Sequence, residues 1–187
     1  MWSSSVIRTK SGEEVAVLQL MGRAYMPTLD CPFQVAKREM SRLRKLVAAV
    51  IVDMHAEATS EKMAMGHYLD GEATAVVGTH THVQTADEQI FPGGTAFLCD
   101  AGMCGPVNSI IGRAVEPIVQ RFMSNLPAQF PVAAGEVRLR GALVEIDEGT
   151  GRALRIARVD EAAATTSGET QSAATVENEY KNEQENS

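Results

Sequence analysis

Two continuous apolar segments constrain the fold of this chain more than any other feature. The first, "LVAAVIVDM", covers residues 46–54, and the second, "TAVVG", covers residues 74–78. Short runs that are apolar at successive positions and rich in valine predict strands that are buried on both faces, as in parallel sheets. Between them, "TSEKMAMGHYLDG" predicts a short helix with its N-cap near Thr59 or Ser60. We therefore expect two parallel strands connected through a helix.

The remaining segments extend this pattern into a mixed domain. "VIRTKSGEEVAVLQLMG" predicts a hairpin, "LDCPFQVAKREMSRLRKL" a helix capped by Asp30, and "TAFLCD" a strand. "RAVEPIVQRFMSNL" predicts a helix that is bent or restarted at Pro117, and residues 135–159 predict a final hairpin. Strands and helices that alternate before a terminal hairpin are typical of an α/β or α+β layered sheet.

The charge distribution divides the chain into two parts. From residue 161 onward, six acidic side chains and one lysine contribute −5 of the net charge of −7. We expect residues 1–160 to form one domain and residues 161–187 to form a disordered acidic tail. The domain shows no basic face for nucleic acid, and the sequence has no membrane span and no signal peptide, so we expect a cytoplasmic protein.

Histidines follow both apolar segments directly. His55 comes directly after the first segment, and His80 and His82 come just after the second. Ligands in α/β sheets bind beyond the carboxyl ends of the strands, where these imidazoles would meet if the strands are neighbours. In an extended segment, His80 and His82 would point to one side with α-carbons about 6.5 Å apart. From the residues alone, two interpretations stay open: a site for one or two metal ions, or polar residues in loops.

Carboxylates near these histidines, Asp53, Glu57 and Asp100, are candidates for orienting a ligand imidazole, or are ordinary cap and turn residues. Three cysteines, Cys31, Cys99 and Cys104, are expected to be reduced. We expect Cys99 and Cys104, which are spaced as C-x4-C, to be small buried residues. A structural zinc module built from Cys99, Cys104, His80 and His82 is a weaker alternative.

The segments "HAEATSEK" and "GTHTHVQTADE" carry a specific resemblance to a known family. From about Val15 to about Val159 the chain resembles bacterial calcineurin-like metallophosphoesterases of the YmdB-like branch, the 2′,3′-cyclic-nucleotide 2′-phosphodiesterases. The resemblance implies a layered sheet sandwich with a dinuclear centre of divalent iron, manganese or zinc. It also implies that His55, His80 and His82 are metal ligands and that no protein side chain acts as nucleophile. The implied substrate is a small phosphodiester, with RNA ends as an alternative.

The chain departs from this family at its beginning. Family members start with further residues that carry an aspartate, a bridging glutamate and a Gly-Asn-His segment, and no Gly-Asn-His occurs here. The resemblance therefore implies the C-terminal part of the sandwich and the three-histidine half of the metal centre. The alternative is a truncated, non-catalytic metal-binding or interaction domain. An open sheet edge and an uncovered apolar face would favour homo-oligomers.

Overall fold

A computed structural model describes residues 2–27 and 30–163 of the chain. They form a mixed α/β structure with one six-stranded and one three-stranded sheet. In the larger sheet the strand order is β1-β2-β3-β4-β6-β5. Its strands are β1 (Trp2–Arg8), β2 (Glu14–Met21), β3 (Ala49–His55), β4 (Ala75–Thr79), β5 (Gln89–Ile90) and β6 (Ala96–Leu98).

The two apolar segments are β3 and β4, and they are parallel neighbours, as the sequence predicts. Strand β2 lies parallel to β3 on its other side, and β1 closes the predicted hairpin antiparallel to β2. Because β2, β3, β4 and β6 all run in one direction, their carboxyl ends lie at the same edge of the sheet. That edge carries the histidines.

The described residues contain three helices: α1 (Pro32–Leu43), α2 (Thr59–Tyr68) and α3 (Val115–Ser124). Helices α1 and α2 pack against the larger sheet. The predicted N-caps are wrong, since Cys31 precedes α1 and Ala58 precedes α2, and neither side chain makes a capping hydrogen bond. Pro117 does not bend α3, because the helix begins at Val115 and a proline is tolerated in a first turn. None of the helices in the described ranges is long and apolar enough to cross a membrane.

Alternate residues of the central strands pack against different layers. Leu18, Val52 and Val76 point toward α1 and α2 and belong to the main buried cluster. Ile51 and Val77 point the opposite way and pack with Val144, Ile156 and Ala153 of the final hairpin, among others. Strands with both faces covered are buried throughout, which explains why their sequences are continuously apolar.

The smaller sheet is antiparallel in the order β7-β8-β9. Its strands are β7 (Gly105–Pro106), β8 (Val137–Ile146) and β9 (Ala153–Ala162). The predicted final hairpin is β8 and β9, and the short β7 was not predicted. Strand β9 ends at Ala162, so most of the predicted acidic tail lies outside the described residues. The outer face of β8 leaves Leu139 and Leu143 more than half exposed, at 54% and 58%.

Candidate functional site

The parallel pairing of β3 with β4 brings two of the three predicted imidazoles into contact. His55 is the last residue of β3 and lies opposite Thr79, so His80 follows immediately at the same sheet edge. The two ring centroids are 4.8 Å apart and the rings are nearly perpendicular. The closest ring atoms are His55 Nε2 and His80 Nδ1, at 3.1 Å.

A hydrogen-bond chain fixes the tautomer of His55. Thr79 Oγ1 donates its only proton to Asp53 Oδ1 at 2.7 Å. The same hydroxyl oxygen lies 3.1 Å from His55 Nδ1, so it accepts a proton from that nitrogen. His55 therefore carries its hydrogen on Nδ1 and directs the lone pair of Nε2 toward His80. Asp53, a predicted orienting carboxylate, acts on the imidazole through Thr79.

Glu57 fixes His80 in the same way. Its Oε2 lies 3.1 Å from His80 Nε2, and a carboxylate accepts the proton of that nitrogen. His80 Nδ1 then faces Nε2 of His55 at 3.1 Å. Two lone pairs at this distance repel each other unless a proton or a metal cation lies between them. Metal-ligating histidines characteristically donate their other N–H to an oxygen partner, as both rings do here.

The separation of the two inner nitrogens fits a shared metal ion. Two nitrogen ligands of one tetrahedral zinc ion, each bonded at ~2.0–2.1 Å, lie roughly 3.3 Å apart. Two cis ligands of an octahedral ion with similar bonds lie roughly 3.0 Å apart. The observed 3.1 Å between His55 Nε2 and His80 Nδ1 falls between these values. Neutral imidazole is also a ligand type that iron, manganese and zinc accept.

His82 lies two residues beyond His80, in a turn with unusual backbone geometry. The φ angles of His80 and His82 are 105° and 67°, a region that residues other than glycine rarely adopt. The side chain of His82 lines a cavity, and its convergence with the other two imidazoles stays a prediction. Within residues 2–27 and 30–163, no group of three or more histidine, cysteine or acidic side chains has the geometry to hold a metal ion.

A buried ion pair stabilises the turn that contains His80 and His82. Lys62 and Asp100 are each 1% exposed, and Lys62 Nζ donates to Asp100 Oδ2 at 2.9 Å. The same oxygen accepts the backbone N–H and the hydroxyl of Thr81, at 3.1 and 2.7 Å, while Asp100 Oδ1 accepts the N–H of Gly102. Burial raises the pKa of Asp100, but hydrogen bonds from Lys62, Thr81 and Gly102 outweigh it and hold that pKa below its usual value.

The "HAEATSEK" segment thus places three charged side chains on different parts of the site. Glu57 contacts His80, and Lys62 binds Asp100. The carboxylate of Glu61 accepts the backbone N–H groups of Arg23 and Ala24, at 3.0 to 3.1 Å, and so fixes the loop that follows β2. The loop after β2, the turn after β4 and the end of β6 are therefore anchored to α2.

A cavity of about 380 Å³ opens beside His82, between the histidine turn and the smaller sheet. Gln84 connects these two parts, because its Nε2 donates to the carbonyl oxygens of Gly141 and Val159, both at 3.0 Å. The α-carbon of Gly102 packs against Gln84 so closely that a methyl group there would lie 2.9 Å from the Gln84 backbone nitrogen. Sequence analysis did not identify Lys62 or Gln84 as site residues.

The cysteines lie in different environments. Cys99 is 2% exposed, and burial raises the pKa of its thiol, as expected for a small buried residue. Cys104 is exposed, so the expectation that it is buried is wrong, and Cys31 is partly buried. All three thiols are free. The Cys104 thiol contacts the Arg140 carbonyl oxygen at 3.5 Å, on the smaller sheet.

Comparison with known proteins gives consistent results. A family model described as "YmdB-like protein" matches residues 2–159. The chain is 49% identical over 149 residues to a 2′,3′-cyclic-nucleotide 2′-phosphodiesterase of Bacillus subtilis, covering 80% of this chain. It superposes on a crystal structure of a hypothetical protein from Thermus thermophilus with a TM-score of 0.78 and 40% identity, over 86% of this chain and 62% of that one.

A second crystal structure, that of a novel phosphatase from Mycoplasma pneumoniae, matches with a TM-score of 0.75 and 33% identity. The match covers 85% of this chain and 57% of that one. The chain spans 56% of the Bacillus protein, so it covers about half the length of that curated relative.

Proposed function

We propose that this chain, which belongs to the YmdB-like protein family, supplies histidine ligands to the divalent cations of a phosphodiesterase. The proposed ligands are His55, His80 and His82, and the proposed metals are iron, manganese or zinc, two in the complete centre. The supporting observation is the pair of inner nitrogens of His55 and His80, which direct their lone pairs at each other across 3.1 Å. Each ring is held in that tautomer by an oxygen partner on its outer side.

The residues of this chain would bind and orient the metal ions and would not react covalently with the substrate. When bound, a divalent cation supplies Lewis-acid chemistry and makes water more acidic next to phosphorus. Glu57 and the Thr79–Asp53 pair contact the outer nitrogens of the two imidazoles and so orient the inner nitrogens toward each other. The Lys62–Asp100 pair fixes the backbone of the turn through Thr81, between His80 and His82.

The proposed substrate is a small phosphodiester, and the name of the Bacillus relative suggests a 2′,3′-cyclic nucleotide. RNA ends are an alternative with the same phosphodiester chemistry. The chain spans about half of that relative. The complete calcineurin-like sandwich, and the metal ligands other than these three histidines, are therefore also part of what we propose. Cytoplasmic location and self-association also remain predictions from the sequence.

Metal titration of the purified chain tests the ligand assignment. Co²⁺ reports on histidine ligation through its visible absorption, and we expect His80→Asn to weaken Co²⁺ binding at least about tenfold. Asparagine is among the residues that adopt positive φ most readily, so it is a conservative way to remove the imidazole at position 80. The matched control is His67→Asn, because His67 is exposed on α2 and stacks on Phe91. Equal Co²⁺ affinity of all three proteins would contradict the assignment.

Turnover of bis-p-nitrophenyl phosphate then tests whether this chain forms a catalytic centre by itself. A chain that does so should release p-nitrophenol in the presence of Mn²⁺, and the rate should fall to background in His80→Asn but not in His67→Asn. Metal binding that depends on His80 without any turnover would show that this chain supplies metal ligands but is not a hydrolase by itself. Both measurements use the same 187-residue chain, so they compare one protein under one set of conditions.

A further inference from the structure

We propose that an apolar groove beside helix α3 binds the acidic segment at residues 173–185 of the same chain. The groove has a volume of about 460 Å³ and lies between α3 and the loops that precede and follow it. Neither His55 nor His80 lines it, so the inference does not depend on the proposed metal site. It assigns an intramolecular partner to a surface that the proposed function does not use.

The walls of the groove expose a large apolar surface. Five apolar side chains from the helix and its flanking loops line the groove: Ile110, Ile111, Ile118, Phe122 and Phe130. Phe122 is 83% exposed, and the next residue, Met123, is 76% exposed. A contiguous apolar patch of this kind, with polar groups at its rim, is typical of a surface that binds another polypeptide segment.

Two arginines in the groove lining carry a positive charge that no carboxylate balances within the described residues. Arg113 donates to the Phe130 carbonyl oxygen at 3.1 Å, and Arg121 donates to Asn125 Oδ1 at 2.6 Å. On the smaller sheet, by contrast, Arg155 pairs with a carboxylate. The groove therefore fits an occupant that combines apolar side chains with negative charge, because such an occupant matches both its surface and its charge.

The sequence that follows β9 has both properties. Val176 and Tyr180 are the only bulky apolar side chains after residue 163, and they are four positions apart. Five glutamates and one lysine give residues 164–187 a net charge of −4, and Glu177 and Glu179 lie between or beside the two apolar residues. A segment that is too polar to fold alone can become ordered when a partner covers its few apolar side chains. Apolar anchors four positions apart are a common way for such a segment to bind a groove.

The end of β9 lies close enough to the groove for this segment to reach it. The Ala163 N–H donates to the Val137 carbonyl oxygen at 2.8 Å, and Val132, five residues before Val137, pairs with Arg113. At no more than ~3.6 Å per residue, Val132 and Val137 are at most about 18 Å apart, whereas the thirteen residues from Ala163 to Val176 can span ~45 Å. A segment tethered in this way acts at an effective concentration on the order of millimolar.

A second copy of the chain fits the same groove less well. Symmetric dimers usually pair a surface patch with itself, so two grooves in contact would bring their arginines together. Like charges across an interface disfavour association, whereas the glutamates of residues 173–185 bring the opposite charge. The charge of the groove therefore favours the segment over a second copy.

A fluorescein-labelled peptide with the sequence of residues 170–187 tests the proposal on the full chain. In Val176→Ser/Tyr180→Ser the chain lacks its own apolar anchors, so the peptide should bind and should shift the backbone amides of residues 110–126 in the ¹⁵N-labelled protein. The wild-type chain should bind the peptide at least tenfold more weakly, because its own segment competes for the groove. Adding Arg121→Glu to the double variant should also weaken binding at least tenfold, since the charge of the groove is reversed.

Two controls separate loss of charge from loss of folding. A peptide with Glu177→Lys and Glu179→Lys should bind the Arg121→Glu protein more tightly than the unmodified peptide does. Arg155→Glu in the same double-variant background should leave peptide affinity unchanged, because Arg155 does not line the groove. The proposal would be overturned by absence of peptide binding, by equal affinity of the wild type and the double variant, or by equal affinity with and without Arg121→Glu. Amide shifts at residues 110–126 that grow with protein concentration in the absence of peptide would also overturn it and would assign the groove to a second copy.

Discussion

Replacing Lys62 with methionine is expected to destabilise the protein strongly and to release the histidine turn. The variant keeps the length of the side chain but removes the ammonium group that binds Asp100 Oδ2 and the Thr79 carbonyl oxygen. Asp100, which is 1% exposed, is then left as a buried charge without a counterion. Breaking a buried pair in this way costs about 3–5 kcal/mol.

The turn should respond first, because its backbone is held away from ordinary conformations. His80 and His82 both have positive φ, and each such residue stores ~1–3 kcal/mol of strain that surrounding contacts must offset. The contacts that do so at Thr81 are the two hydrogen bonds to Asp100. Once Asp100 is unpaired, we expect the turn to relax and Co²⁺ affinity to fall together with stability.

Guanidinium chloride unfolding of five proteins measures these effects: the wild type, Lys62→Met, Asp100→Asn, the double variant and Arg155→Met. Adding Asp100→Asn to Lys62→Met removes the unpaired charge, so the double variant should be about 0.5–3 kcal/mol more stable than the sum of the single losses predicts. Arg155→Met is the matched control, since it also removes the cation of an ion pair, but an exposed one, and should cost ~0–1 kcal/mol. A loss in Lys62→Met no larger than that in Arg155→Met would refute the reasoning.

Two further predictions concern residues away from the turn. Burial raises the pKa of Glu39, but Arg42 and Arg38 outweigh it and hold that pKa below 4.5. The stability that this carboxylate contributes is therefore present above pH 4.5 and is lost as the pH falls further. In Glu39→Gln, the free energy of unfolding should fall less steeply with decreasing pH below 4.5 than it does in the wild type. An unchanged dependence on pH in that range would contradict this prediction. Gly78→Ala should lower the free energy of unfolding in urea by more than about 3 kcal/mol, because its methyl group would clash with the Cys99 carbonyl oxygen. The control is Gly141→Ala, which has open space around it and should be neutral or slightly stabilising. Similar losses in both variants would contradict the clash.

The sequence predicted the elements of this fold that depend on local patterns. The continuous apolar runs gave β3 and β4, and their parallel pairing explains why His55 and His80 meet. Cap positions were predicted less well, since the backbone at Cys31 and Ala58 begins the helices without any capping side chain. The start of α1 is marked instead by Pro32 at its first position, whereas the start of α2 has no capping residue to mark it.

The supporting contacts of the site were not predictable, because they join residues far apart in the chain. Lys62 and Asp100 are 38 residues apart, and a lysine on a short helix is ordinarily interpreted as exposed. Asp100 was a candidate for orienting an imidazole, but it contacts the intervening Thr81 instead. One local signal was available for Lys62: it follows Glu61 within the same specific segment that contains His55 and Glu57.

The two hydrogen bonds of Gln84 have a consequence for folding during synthesis on the ribosome. Their acceptors, the carbonyl oxygens of Gly141 and Val159, come 57 and 75 residues later in the chain. Because synthesis proceeds from the N-terminus, the segment with His80 and His82 emerges well before the strands that anchor it. The cavity beside His82 can therefore form only after the last hairpin has been translated.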